Sequence, residues 1–135
     1  MVRLAILSLA TLFCAATAAH AQLAEGVYTG SYKGSAENSA GTVRLALTRN
    51  GETWGANFTF TAAGREVKCK TVTIDVNGDR VKFACAWEFD GYSFETTSDA
   101  AAASRGKLES KYRTVAKPDG SKIDEGVWTA TLESK

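Results

Sequence analysis

The octapeptide EGVYTGSY at residues 25–32 is nearly repeated as EGVWTATL at residues 125–132, shortly before the end of the 135-residue chain. In each copy an aromatic residue begins a period-two alternation, which is typical of a β-strand with one buried face. We interpret the two copies as the first and last strands of a closed β-barrel. Closure hides the two strand edges that an open sheet would leave as sites of aggregation.

Turn signals divide the rest of the chain into short strands. All twelve glycines and the single proline follow residue 21, and they separate runs rich in Val, Thr, Tyr, Phe and Trp. This punctuation is typical of an all-β protein. Strands are predicted at residues 26–32, 42–49, 53–61, 65–74, 80–88, 92–97, 107–115 and 124–133.

The predicted fold class is all-β, as an eight-stranded antiparallel up-and-down (meander) β-barrel. An even number of strands makes the first and last strands antiparallel, so that they can pair. A sandwich of two four-stranded sheets would show the same alternation of side chains. Consecutive short hairpins without a long crossover favour the meander barrel.

Short loops predict which residues face each other, because a slip of one residue would turn every side chain to the other face of the sheet. Taken as a two-residue loop, residues 50–51 place Leu47 opposite Trp54, with the apolar residues of both strands on one face. Two-residue loops at 63–64 and 90–91 keep the same faces inward. The hairpin pattern therefore agrees with one continuous buried face.

The two cysteines that follow residue 21 are predicted to form one disulfide. Residues 76–78, taken as a three-residue loop, place Cys69 directly opposite Cys85, at a separation that suits a disulfide. Neither cysteine lies in a CxxC motif, which would favour a reactive thiol. Residues 1–21, described below, indicate export, and two cysteines in an exported chain usually form a structural disulfide.

The up-and-down order also predicts two different barrel ends. The loops at 33–41 and 116–123 share one rim, which we expect to be the open mouth. At the other rim, residues 98–105 (SDAAAASR) are expected to leave the sheet. Ser98 or Asp99 can cap a single helical turn through the alanines, and this turn is expected to plug that end.

Residues 1–21 have the pattern of a secretory signal peptide. Arg3 precedes an apolar stretch, and a small-x-small motif ends at Ala21, after which we expect cleavage. A transmembrane anchor is less consistent, because the apolar run is shorter than the roughly 20 residues that a membrane span needs. We therefore predict export by the Sec route to the periplasm or medium, with residues 22–135 as a single β-barrel domain.

The composition after cleavage argues against several functions. Arg3 and the only histidine leave with the signal, so fifteen basic residues face fifteen acidic ones. This balance gives no electrostatic attraction to nucleic acid or to an anionic membrane. The chain then lacks the side chain most used as general base and metal ligand. We predict no enzymatic activity, no metal and no cofactor.

A meander barrel that opens on the sequence GVY, at residues 26–28, resembles the calycins, the lipocalin- and avidin-type small secreted β-barrels. The resemblance covers most of the chain after residue 21 in its strand pattern. Lipocalins carry a Gly-x-Trp motif on the first strand, whereas here it occurs on the last strand, at residues 126–128. Lipocalins also pair that tryptophan with an arginine late in the barrel, and here no arginine follows Arg113. The resemblance implies a barrel that binds a small hydrophobic molecule. It does not extend to the polar residues with which avidins hold biotin.

Two functions remain open from the sequence. The first is a non-enzymatic protein that holds a small apolar or aromatic ligand, although the inward-facing rings could instead fill the barrel. The second is a protein-interaction module, an inhibitor or envelope assembly factor, that acts through the rim loops 33–41 and 116–123. The candidate ligand-binding residues are the inward-facing aromatics Tyr28, Tyr32, Trp54, Phe58, Trp87, Phe94, Tyr112 and Trp128.

Overall fold

The computed structural model describes residues 23–134, which form eight strands. The expected signal peptide lies outside the described residues. No helix in this part of the chain is long and apolar enough to cross a membrane. The strands are β1 (Gly26–Gly34), β2 (Ala40–Asn50), β3 (Thr53–Ala62), β4 (Arg65–Asn77), β5 (Arg80–Phe89), β6 (Tyr92–Ser104), β7 (Lys107–Lys117) and β8 (Lys122–Ser134).

The strands form a closed antiparallel barrel in chain order, and β8 pairs back to β1. The predicted all-β meander barrel is therefore confirmed, and the sandwich is excluded. The barrel has two distinct ends. The mouth carries the connections at 35–39, 63–64, 90–91 and 118–121, whereas the base carries the turns at 51–52, 78–79 and 105–106.

The two copies of the repeated octapeptide form the closing seam between β1 and β8. Gly30 faces Ala130, and on either side of this pair Tyr28 faces Leu132 and Tyr32 faces Trp128. Large inward side chains thus flank a central pair of small residues. A Cβ atom at Gly30 would overlap the backbone carbonyl of residue 129, so the close approach of the two strands requires glycine at this position.

The expectation that residues 98–105 form a helical plug is wrong. Residues 98–104 belong to β6, where Ala100 pairs with both Val81 of β5 and Ser110 of β7. Ser98, Ala100 and Ala102 alternate inward and are buried. Hydrogen-bonding partners on both sides outweigh the weak helix preference of an alanine run.

The predicted hairpin registers are confirmed at the loops 63–64 and 90–91 but not at β2–β3. There Asn50 pairs with Thr53, so the loop is Gly51–Glu52 and Trp54 faces Arg49 instead of Leu47. Gly51 takes the positive φ of 67°, as expected for the first residue of a type II′ hairpin. The register error is two residues, so each side chain keeps its predicted face.

The β4–β5 hairpin also differs from the prediction. Asn77 pairs with Arg80, which makes the loop two residues long, and the register shifts between Thr71 and Thr73. Val72 is the extra residue of this bulge, and its side chain is 57% exposed. Because a bulge changes the face of the residues that follow it, the side chains of β4 from Thr73 onward lie on the opposite face from the one that the sequence predicted.

The predicted disulfide is confirmed, although its two cysteines are not direct partners. Thr71 faces Cys85, and Cys69 bonds to Cys85 diagonally across β4 and β5, with a Cα–Cα distance of 5.2 Å. Both cysteines are buried in the barrel wall. The bond therefore joins two neighbouring strands at the level where the filled core ends and the mouth half begins.

The base half of the barrel is filled with side chains. Leu23, which precedes β1, packs against this core, and the Tyr28 hydroxyl donates a hydrogen bond of 2.7 Å to the Ala24 carbonyl. The residues before β1 thus cover the end that residues 98–105 were expected to plug. The most deeply buried side chains of the base are Tyr28, Leu45, Leu47, Val81 and Leu108.

We expect Gly30→Ala to destabilise the barrel, because the added methyl group would overlap the neighbouring strand at the closing seam. The free energy of unfolding in urea should fall by about 2–3 kcal/mol, the usual cost of overpacking. Gly55→Ala on β3 is the matched control, since its new Cβ would meet only a side-chain hydroxyl at 3.0 Å. Equal stability of the two variants would contradict the tight seam.

Loss of the disulfide should destabilise the protein through the unfolded state. The two cysteines are 16 residues apart, and closing a loop of this length stabilises a fold by about 3 kcal/mol in the chain-entropy model. Thermal unfolding of the wild type with and without a phosphine reductant measures this loss. The double variant Cys69→Ala/Cys85→Ala should be unaffected by the reductant, and a wild type equally indifferent would contradict the prediction.

Candidate functional site

The mouth half of the barrel contains a cavity of about 230 Å³. It extends from Phe58 and Trp128, which form its floor, to the rim connections at Ala36 and Ala63. A buried apolar cavity of about 150 Å³ holds one benzene molecule. The cavity is therefore large enough for a small aromatic compound, in contrast to the filled base.

Aromatic rings form the apolar wall of the cavity. The ring centroids of Phe58 and Trp128 are 5.6 Å apart, and those of Phe60 and Trp87 are 5.0 Å apart in an edge-to-face arrangement. Tyr32 stands edge-on to Phe60 at 5.9 Å. Such arrangements favour defined ring positions, so this wall presents a fixed apolar surface.

Hydroxyl groups from β6 and β7 form a polar wall. Thr96, Ser98 and Thr114 line the cavity, and each is at most 5% exposed. The indole N–H of Trp87 donates to Thr96 Oγ1 at 2.9 Å, and that of Trp128 donates to Ser98 Oγ at 3.2 Å. The Thr96 and Thr114 hydroxyls lie 2.6 Å apart. The hydroxyls thus fix the orientation of both indole rings.

A carboxylate at the mouth joins the β1–β2 loop to β7 and β8. Asp124 accepts hydrogen bonds from the Ser39 hydroxyl at 2.5 Å, from the Tyr112 hydroxyl at 2.9 Å and from the Ala36 backbone N–H at 3.0 Å. Gly34 lies beside this network, and any Cβ there would overlap the Asp124 carboxylate. The network therefore holds the loop 35–39 across one side of the mouth.

The network also determines the charge state of its members. Burial opposes ionisation of Asp124, but its hydrogen bonds from Ser39, Ala36 and Tyr112 outweigh burial and lower its pKa. Burial and the neighbouring carboxylate raise the pKa of the Tyr112 hydroxyl above its usual range. At neutral pH the mouth therefore carries an ionised Asp124 and a neutral Tyr112.

The cavity lining is otherwise uncharged. Asp124 has the one carboxyl group among the described lining residues, and no lysine or arginine lies among them. Residues 23–134 contain no group of three or more His, Cys, Asp or Glu side chains that could hold a metal ion. The described groups suit contacts with apolar surface and hydrogen bonds to a small number of polar atoms.

The structure brings together five of the eight aromatic residues that the sequence indicated. The other three lie elsewhere: Tyr28 in the filled base, Trp54 under the Arg49 guanidinium at 5.3 Å, and Phe94 against Trp87 at 4.4 Å. Their role in ligand binding stays a prediction. The five that line the cavity are Tyr32, Phe58, Trp87, Tyr112 and Trp128.

Sequence reasoning missed the polar groups of the site. Extending the inward parity of Phe94 along β6 would have placed Thr96 and Ser98 in the barrel, but residue 98 was assigned to a loop. The link between Ser39 and Asp124 joins residues 85 positions apart. No local pattern in the sequence could have indicated that contact.

Comparisons with protein-family models, with curated proteins and with solved structures found no match for this chain.

We expect Asp124→Asn to weaken the mouth network and to change how stability depends on pH. The pKa of the folded carboxyl is lower than its ordinary value of 3.8, so ionised Asp124 stabilises the fold above that pH. This contribution is lost as the pH falls through the folded pKa. The wild type should exceed the variant in free energy of unfolding at about pH 6, and the difference should shrink between about pH 4 and pH 2.

Urea unfolding at several pH values measures this difference. Glu109→Gln is the control, because Glu109 is exposed on the outer face of β7. Its effect should stay within about 0.5 kcal/mol at every pH, as for most surface substitutions. A difference between wild type and Asp124→Asn that is constant from neutral to acid pH would rule out stabilisation by the ionised carboxylate.

Proposed function

We propose that this protein is a non-enzymatic binding protein that holds a small apolar or aromatic ligand in the mouth half of its barrel. The supporting observation is the cavity of about 230 Å³, which is lined by aromatic rings and by the hydroxyls of β6 and β7. Ligand sites are typically concave and mainly apolar, with a small number of placed polar groups. The cavity has this composition.

The contrast between the two halves of the barrel supports the proposal. Leu45, Leu47 and Leu108 are fully buried in the base, within one cluster of packed hydrophobic side chains. Protein cores contain few voids larger than a water molecule. A cavity lined by six aromatic residues is therefore consistent with a function other than stability.

We propose a secreted or periplasmic location and a calycin-like relationship. The Cys69–Cys85 disulfide supports the location, since disulfides persist mainly in oxidising compartments. The closed eight-stranded antiparallel barrel is compatible with the calycin architecture. Calycin-like barrels bind small molecules within the barrel, which agrees with the position of the cavity.

The rim loops fit a role at the opening of the cavity better than a role as an independent docking surface. Strands occupy much of the predicted segments 33–41 and 116–123, leaving only residues 35–39 and 118–121 outside them. The first of these loops is bonded to β8 through Asp124. We therefore favour ligand binding over a protein-interaction module.

Naphthalene tests the proposal, because it is apolar, planar and larger than benzene. The three tryptophans give three indole N–H signals in a ¹⁵N-correlated NMR spectrum. Naphthalene should shift the signals of Trp87 and Trp128, which line the cavity, and leave that of Trp54, which does not. Shifts confined to Trp54, or none at saturating naphthalene, would contradict binding in the mouth half.

A matched pair of substitutions locates the binding. Val43 is 3% exposed and lines the cavity, so Val43→Phe should fill part of it and weaken naphthalene binding at least about tenfold, or about 1.4 kcal/mol. Val72→Phe makes the same change on the outer surface and should leave the affinity unchanged. The dispersion of the NMR spectrum shows whether each variant is folded. Equal affinities of the folded variants would place the site elsewhere.

A further inference from the structure

The polar wall of the cavity contains a hydroxyl hydrogen without an acceptor. Ser98 is 3% exposed, and its Oγ accepts the indole N–H of Trp128 at 3.2 Å. The hydroxyl hydrogen of Ser98 must therefore point away from that indole. No acceptor for it lies among residues 23–134 in the hydrogen bonds of the structure, and Ser98 lines the cavity.

The two buried threonines supply a second donor of the same kind. Thr96 Oγ1 accepts the indole N–H of Trp87, and one hydrogen bond joins the Thr96 and Thr114 hydroxyls. Two hydroxyl groups carry two hydrogens, and their mutual bond uses one of them. Whichever hydroxyl donates, the other keeps a free hydrogen at the cavity wall.

Buried donors of this kind are costly unless they are satisfied. A buried donor that is left without an acceptor costs about 1–3 kcal/mol, and most buried polar groups in native proteins have a partner in the protein or in an ordered water. The two indoles fix the direction in which the hydroxyls can accept. Because Thr96, Ser98 and Thr114 line the cavity, an acceptor inside it can satisfy the remaining hydrogens.

We propose that the ligand is a neutral planar molecule whose acceptor oxygen, a carbonyl or ether oxygen, receives hydrogen bonds from Ser98 and from the Thr96–Thr114 pair. This inference rests on the proposed function. It adds the chemical class of the ligand and its orientation. The acceptor oxygen faces β6 and β7, and the apolar body faces β2 and β3.

The positions of the strands support this orientation. Val43 on β2 and Phe58 and Phe60 on β3 line the cavity. In a closed barrel of eight strands in chain order, β2 and β3 lie four strands away from β6 and β7. The part of the apolar wall on β2 and β3 therefore faces the polar wall, and a molecule with one polar edge fits between them.

The charges around the cavity favour a neutral acceptor over a carboxylate. An anion in the cavity would lie near ionised Asp124 at the mouth. No lysine or arginine among the described lining residues could pair with the anion. Burying an unpaired carboxylate costs far more than burying a carbonyl group. The two neutral donors can satisfy a carbonyl oxygen without a counter-charge.

Acetophenone and α-methylstyrene form the probe pair that tests the inference. They have nearly the same shape, and they differ in a carbonyl oxygen that replaces a methylene group. Titration calorimetry should show acetophenone binding the wild type about tenfold more tightly, the effect of a hydrogen bond to a buried donor. Benzoate, which adds a negative charge, should bind more weakly than acetophenone.

Two serine substitutions provide the matched comparison. Ser98→Ala removes the proposed donor and should reduce the preference for acetophenone by at least about fivefold. Ser110→Ala removes a serine of similar burial, 5% exposed, whose hydroxyl already donates to the Lys111 carbonyl and which does not line the cavity. This control should keep the wild-type preference.

A spectroscopic measurement on the wild type requires no substitution. The infrared carbonyl band of bound acetophenone should lie at lower frequency than in hexane, because hydrogen bonds weaken the carbonyl double bond. Equal affinities for the two probes, or a carbonyl band at its hexane position, would overturn the inference and leave the proposed function intact. Failure of both probes and of naphthalene to bind would instead reject the proposed function.

Discussion

The pairing of β1 with β8 is the constraint on which the rest of the structure depends. Without it the sheet would have two open edges, and its inward rings would face water. The seam closes because the small residues Gly30 and Ala130 meet at its centre. Tyr32 and Trp128, directly paired on the mouth side of that centre, then both reach the cavity. Closure therefore forms the barrel and also positions two of the residues that line the cavity.

The two halves of the barrel differ in how their side chains are held. Aliphatic packing fills the base, and the disulfide joins β4 and β5 at the boundary. Cys85 pairs with Thr96, and two residues further along β5 lies Trp87, whose indole donates to that threonine. The bond thus supports the strand that carries part of the cavity wall. Side chains above this level are positioned by hydrogen bonds and ring contacts instead of close aliphatic packing.

The fold was predictable because period-two alternation and glycine-containing turns agree along the chain. The β2–β3 register was not predictable, because a slip of two residues leaves every side chain on the same face and therefore does not change the alternation. The bulge at Val72 was hidden because β-branched residues surround it on both faces. The aromatic residues of the site were predictable from their inward positions on the strands. The hydroxyl wall was missed because Ser98 precedes an alanine run, and Asp124 was missed because its partners are distant in sequence.

The separation of a filled base from a lined mouth bears on how such a protein can diversify. Most of the buried aliphatic surface that drives folding lies below Phe58 and Trp128, away from the residues that contact the cavity. Substitutions among the lining residues then alter the shape and polarity of the cavity without removing that packing. Exchanges at the mouth can therefore change the cavity while the base keeps the barrel folded.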